Sequence, residues 1–140
     1  MKYEREVRVL YADTDSYGVV WHGAYTKWFE EGRVGIVEML GLELEKLEQE
    51  HILFPVVEMN VRYKSSAKMN ERIIIETEIS EVSPLCVTFE HRVTEKTTGT
   101  LRTLAKTSIV AINSETGKLY RKMPDFIYSK FLSAKESNND

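Results

Sequence analysis

From Pro55 to Ile112 the sequence keeps returning to a period of two, and that alternation limits the fold more than any other feature. Val57, Met59, Val61 and Tyr63 alternate with Glu58, Asn60, Arg62 and Lys64. Residues 72–82 follow, with Ile73, Ile75, Thr77 and Ile79 on one side. After Ser83-Pro84, Leu85, Val87, Phe89, His91 and Val93 alternate with Cys86, Thr88, Glu90, Arg92 and Thr94. Thr97-Thr98-Gly99 turns the chain into a last long run, Leu101 to Ile112, which ends at residues 113–117. Successive strand residues point to opposite faces, so each run predicts a strand with one buried side. Their links are mostly short, which favours antiparallel pairing, because parallel strands need long crossovers. A fifth run opens the chain. Tyr3, Arg5, Val7, Val9 and Tyr11 alternate with Glu4, Glu6, Arg8 and Leu10, until the Asp, Ser and Gly of residues 12–18 supply turn chemistry.

One segment has the other period. Tyr25, Trp28, Phe29, Gly32, Ile36, Met39 and Leu40 share one helical face, while Thr26, Lys27, Glu30, Arg33 and Glu38 fall largely elsewhere. Gly32 and Gly35 each cost a helix about 1 kcal/mol relative to Ala. Their lack of bulk implies close backbone approach to a sheet or to a partner. Gly41 is a natural stop. A short helical turn is predicted over Leu44 to Gln49, and a short helix over Met123 to Leu132, beginning near Pro124. Ser133 to Asp140 is small, polar and charged, and reads as a frayed tail. The reading is an α+β architecture in a single domain over residues 1–132, with a polar tail at 133–140. One long helix is wrapped by a five-stranded antiparallel sheet. Outward-facing Ile74, Leu104 and Val110 hint at sheet packing in an oligomer.

Composition narrows the function. The 140 residues suffice for one core. Nineteen basic against 22 acidic residues leave a net charge of −3, so no general attraction to nucleic acid or membrane follows. An anionic ligand must be met by local positive groups. Cys86 stands alone, with no disulfide mate and no spaced Cys and His partners for zinc. Neither a signal-peptide core nor an apolar run of about 20 residues is present, so a cytoplasmic protein without membrane insertion is expected.

Residues 11–25, Tyr-Ala-Asp-Thr-Asp-Ser-Tyr-Gly-Val-Val-Trp-His-Gly-Ala-Tyr, resemble the signature of the hotdog-fold acyl-CoA thioesterases. The likeness is to the 4-hydroxybenzoyl-CoA thioesterase type, including its Tol-Pal-associated bacterial branch. Asp13, Asp15, Gly18, Val19, Val20, Trp21, His22 and Tyr25 carry it, and it extends through Glu30, Glu31 and Arg33. Family members often have Asn where Gly23 or Ala24 stands. Many have Gly-Asp in the turn where this chain has Met69-Asn70-Glu71.

The resemblance implies a hotdog fold, an acyl-CoA substrate and a homodimer or homotetramer with its site between two subunits. It assigns Asp15 the role of nucleophile or general base, and it places the N–H that polarises the thioester carbonyl near His22 and Gly23. Thioester hydrolysis needs both parts, an activated oxygen and a donor for the developing oxyanion. That chemistry requires no metal or bound cofactor. Asp15 can also be read as a turn aspartate bonding its own backbone, and Asp13 as the residue orienting the turn. Gly18 suits a turn or close approach to a ligand. His22 either donates a hydrogen bond or sits exposed at the helix entry. Tyr25 packs under the sheet or lines the pocket. His91, alone on an apolar strand face, reads as a satisfied core residue. For the phosphates of coenzyme A, Arg62 and Lys64 share one strand face, with Lys68 following. Arg92, Lys96, Arg102 and Lys106 form a second set. Two alternatives stand beside hydrolysis of acyl-CoA: an acyl carrier protein thioesterase, and a non-catalytic acyl-CoA binding hotdog protein.

Overall fold

The computed structural model describes residues 1–137. Its elements are β1 (Lys2–Arg8), α1 (His22–Met39), α2 (Leu44–Gln49), β2 (Ile52–Leu53), β3 (Val56–Tyr63), β4 (Arg72–Val82), β5 (Cys86–Glu95), β6 (Leu101–Val110), β7 (Ile112–Asn113) and α3 (Asp125–Ser137). Five strands form one antiparallel sheet in the order β1-β4-β5-β6-β3, and β2 pairs with β7. This is the expected long helix against a five-stranded antiparallel sheet.

The alternation does what the sequence predicts in β4 and β5, but not in β3, where Val57, Met59 and Tyr63 are exposed at an open sheet edge and Val61 is only partly covered. Ile73, Ile75, Thr77 and Ile79 of β4 are buried on one side, with Val87, Phe89, His91 and Val93 of β5 beside them. Register aligns Thr77 with His91 and His91 with Ala105, so the buried rows run straight across the sheet. Ala24, Tyr25, Trp28, Phe29, Gly32, Gly35 and Ile36 of α1 are buried against them. The glycines settle the question of close approach. A Cβ at Gly32 would overlap the Thr77 side chain, and one at Gly35 would overlap the Tyr3 ring. They face this chain's own sheet, so they give no reason to expect a partner.

His91 lies in that core at 1% exposure, stacked on Phe29. Its Nδ1 is 2.9 Å from Thr77 Oγ1 and its Nε2 is 2.8 Å from Thr107 Oγ1. A neutral imidazole fits both, donating from one nitrogen and accepting at the other.

Besides the β3 edge, the structure departs from the sequence reading in four places. Tyr11 does not continue β1. Leu10 N–H donates to Asp13 Oδ2 at 2.9 Å and turns residues 11–13 into a short 3-10 helix, leaving Tyr11 82% exposed. The last strand stops at Val110, which is buried rather than outward-facing, and Ile112 pairs instead with Leu53. The C-terminal helix runs past Leu132 to Ser137, with Ala134 buried beside Ile127 and Phe131. Through Ser137 the expected tail is therefore helix; its remainder lies outside the described residues. α3 also joins α1 on the sheet, adding Ile127 and Phe131 to the cluster around Phe89 and Ile36.

Candidate active site

The motif folds into a small hairpin followed at once by α1. Thr14 bridges Val20, Asp15 N–H donates to Val19 O at 2.9 Å, and Gly18 N–H donates to Asp15 O at 3.0 Å. Gly18 has φ +77°, a backbone that favours glycine. The return limb is seated on residues 67–68: Val20 N–H donates to Ala67 O at 2.9 Å, and Val19 bridges Lys68. Trp21 N–H reaches back to Asp13 O at 3.1 Å. His22 then begins the helix.

Asp13 does hold the turn, through the Leu10 N–H. Asp15 is exposed. Its Oδ1 accepts the Tyr17 N–H at 2.8 Å, the self-bonding turn geometry the residue type permits. Among the described residues no donor is recorded for Oδ2. One oxygen is thus fixed to backbone while the other is open to a reactant. Gly18 sits at the tip of the same hairpin, facing open space.

At the helix entry Trp21 is the N-cap, so His22 and Gly23 lie in the first turn, where N–H groups lack intrahelical acceptors. The His22 side chain is exposed and meets the Trp21 ring edge-on at 5.5 Å. Gly23 is covered by the Trp21 indole, which any Cβ there would overlap. Tyr25 is buried, with Trp28, Phe29 and Tyr63 around its ring. Burial pushes its phenol up from the ordinary value. Tyr25 therefore packs under the sheet, and Tyr63 is the ring that extends this aromatic surface to the exterior.

Glu31 pairs with Arg5 of β1. Arg33 is half-buried, its Nη1 without a hydrogen-bond partner among the described residues, and burial lowers its pKa.

Apart from Lys68, which bridges Val19 of the hairpin, the proposed phosphate contacts are not tied to these groups. Arg62 points to the sheet face away from α1, into an open groove of about 880 Å³ shared with Glu58, Asn60, Arg92 and Lys106. Lys64 is exposed just before the segment that seats the hairpin, and Lys68 is exposed within it, its backbone bridged to Val19. Of the second set, Lys96 pairs with Glu6 at 2.6 Å and Lys106 with Glu90 at 3.5 Å. Arg102 is mostly buried and held by Glu71 at 2.7 Å, which removes it as a phosphate ligand. Sequence reasoning missed this Arg102–Glu71 pair and the role of residues 65–71 beneath the hairpin. Neither has a local signal, since the partners are far apart in the chain.

Comparison with known proteins bears on the family and the fold. Residues 9–131 match the thioesterase-like superfamily. The acyl-CoA thioesterase YbgC of Haemophilus influenzae is 36% identical over 65% of this chain and 68% of its own. The acyl-CoA thioester hydrolase YbgC of Escherichia coli is 30% identical over 89% of this chain and 92% of its own. A crystal structure of the DHNA-CoA thioesterase from Staphylococcus aureus superposes with a TM-score of 0.86 at 30% identity, covering 99% of this chain and 95% of that one. Sequence and fold agree over nearly the whole length, and the chain belongs to the thioesterase-like superfamily of hotdog proteins.

Proposed function

We propose that this chain hydrolyses acyl-CoA thioesters to coenzyme A and a free acid, with Asp15 as nucleophile or general base. The observation that carries the reading is continuity: the hairpin holding Asp15 runs directly into the first turn of α1. A carboxylate with an open oxygen and a set of free N–H donors are thereby fixed on one short piece of chain. Attack by Oδ2 on the thioester carbon would expel the thiolate and leave an anhydride for water to cleave. Alternatively, the carboxylate takes a proton from the water that attacks. In both routes negative charge grows on the carbonyl oxygen, and a backbone donor there is worth roughly 10²–10³ in rate. The acyl-CoA thioesterase names of the relatives support the same chemistry, and a cytoplasmic location goes with it.

Release of free thiol from a panel of acyl-CoA esters tests the reading. Turnover excludes a binding protein, and faster turnover of acyl carrier protein thioesters would move the substrate to that carrier. His22→Ala should keep most of kcat, because the side chain is exposed and the donor assigned here is peptide. A loss approaching that of an Asp15 variant would make the imidazole itself the donor.

The proposal includes a homo-oligomer, with a second copy completing the pocket. The two sheet edges differ. β1 carries Lys2, Glu4, Arg5, Glu6 and Arg8, the kind of charged edge that resists strand addition. β3 carries Val56, Val57, Met59 and Tyr63, all exposed, and α1 packs mainly over β4, β1 and β5, meeting β3 through the Tyr25–Tyr63 ring contact. A second β3 would pair this open edge and cover its apolar residues. Sedimentation should give at least twice the 16.2 kDa chain mass. Met59→Glu should shift the mass toward one chain and lower activity with it. A fully active monomer would contradict the shared pocket.

A further inference from the structure

Arg102 makes side-chain bonds beyond the backbone pairing of its strand. Its Nη1 donates to Ser65 Oγ at 2.9 Å and its Nη2 to Glu71 Oε2 at 2.7 Å. Those partners stand at the two ends of the segment 65–71. The other oxygen of Glu71, Oε1, accepts the Lys68 N–H at 2.9 Å, while Glu71 N–H returns to Lys68 O at 3.1 Å. Ser65 Oγ in turn donates to Leu101 O at 2.7 Å. The guanidinium therefore spans the loop like a strap, and the Glu71 carboxylate closes its inner turn. Asn70, with φ +71°, lets that turn close where a glycine is the usual residue.

What this loop presents is the seat of the hairpin. Ala67 O receives Val20 N–H, and Lys68 bridges Val19. Asp15 lies opposite Val19 in that hairpin, bonded to it through its own N–H. Stability is a poor explanation for the strap. The ion pair is largely buried, at 15% and 21% side-chain exposure, and Arg102 Nε is buried without a hydrogen-bond partner among the described residues. Buried pairs often gain little over apolar residues of the same volume, and an orphaned donor is a cost.

We propose that Arg102 and Glu71 are positioning residues, which set the Asp15 carboxylate against the first turn of α1 by fixing the loop on which the hairpin rests. The inference rests on the reading of Asp15 given above. Misplacement of a reacting group by about 1 Å costs on the order of 10² in rate. Arg102→Met and Glu71→Ala should therefore lower kcat by about 10- to 100-fold, with KM changed less than about threefold. Glu71→Gln keeps an acceptor for Lys68 N–H and should recover part of the loss.

The deciding measurement is a double-mutant cycle on kcat with Asp15→Asn. In that background Arg102→Met should cost almost nothing, because no carboxylate is left to misplace. A residue that merely supports folding would give the same fold-loss in both backgrounds. Equal losses, or a folded Arg102→Met protein with normal kcat, would overturn the proposal and leave Asp15 untouched. Normal turnover by Asp15→Asn alone would remove the reading of the site and the proposal together.

Discussion

Asp15→Asn is expected to lower kcat by about 10²–10⁴, the usual range for a lost acid–base group. KM should move much less. The substitution is a clean one here. Asparagine keeps an oxygen for the Tyr17 N–H, so the hydrogen bond that Oδ1 accepts there, which shapes the turn, can survive. What disappears is the charge on the open oxygen, and with it the ability to attack a carbonyl or take a proton. The residue is exposed in a surface hairpin, so thermal unfolding should change little. A well-folded variant with near-normal kcat would take the chemistry away from Asp15 and direct attention to Asp13 or to His22.

The second large effect concerns stability and pH. Burial, and next the nearby Arg33 charge, hold His91 down to about 3. Unfolded, the same histidine titrates near 6.5. Between those values the unfolded chain binds a proton that the folded chain refuses, so stability rises with pH and is lost as pH falls. The slope from this one group approaches about 1.4 kcal/mol per pH unit. Glu95 works in the same direction at lower pH: hydrogen bonds from Thr98 and Thr97 hold its carboxylate to about 2, and its contribution is lost below the ordinary carboxylate range. The window from about pH 4.5 to 6.5 therefore belongs to His91. Urea unfolding across it should show the slope in the parent protein. His91→Gln should be less stable at pH 7 yet much flatter over the window. An equal slope in both proteins would assign the effect to other groups.

How far the sequence could be read follows from the range of each interaction. Period two in residues 72–82 and 85–94 located strands because burial alternates residue by residue, and Ile75, Phe89 and His91 lie where parity puts them. The glycines at 32 and 35 announced close packing but not its object, since Thr77 and Tyr3 are remote in sequence. The turn after β1 and the long helix that follows it were legible as one contiguous motif, but the closing of that turn as a hairpin on residues 67–68 was not, because those partners are remote in sequence. Arg62 shows the limit. Its charge was visible, but the strand turns it to the far side of the sheet from α1. Arg102 shows the same limit from the other side: a lone arginine in a strand looks available until Glu71 is brought to it by the fold.

The charged β1 edge bears on how far assembly can go. If two copies join through β3, each uses its one adhesive margin, and the resulting ten-stranded sheet ends on both sides in a β1 strand bearing Lys2, Glu4, Glu6 and Arg8. Growth by strand addition then terminates at two chains. A molecule with two β3-like margins would instead propagate into a ribbon, the open-ended outcome of interfaces that do not close. In such a pair the β1 strand would make the association self-limiting, so raising the concentration would fill the pair without seeding fibres.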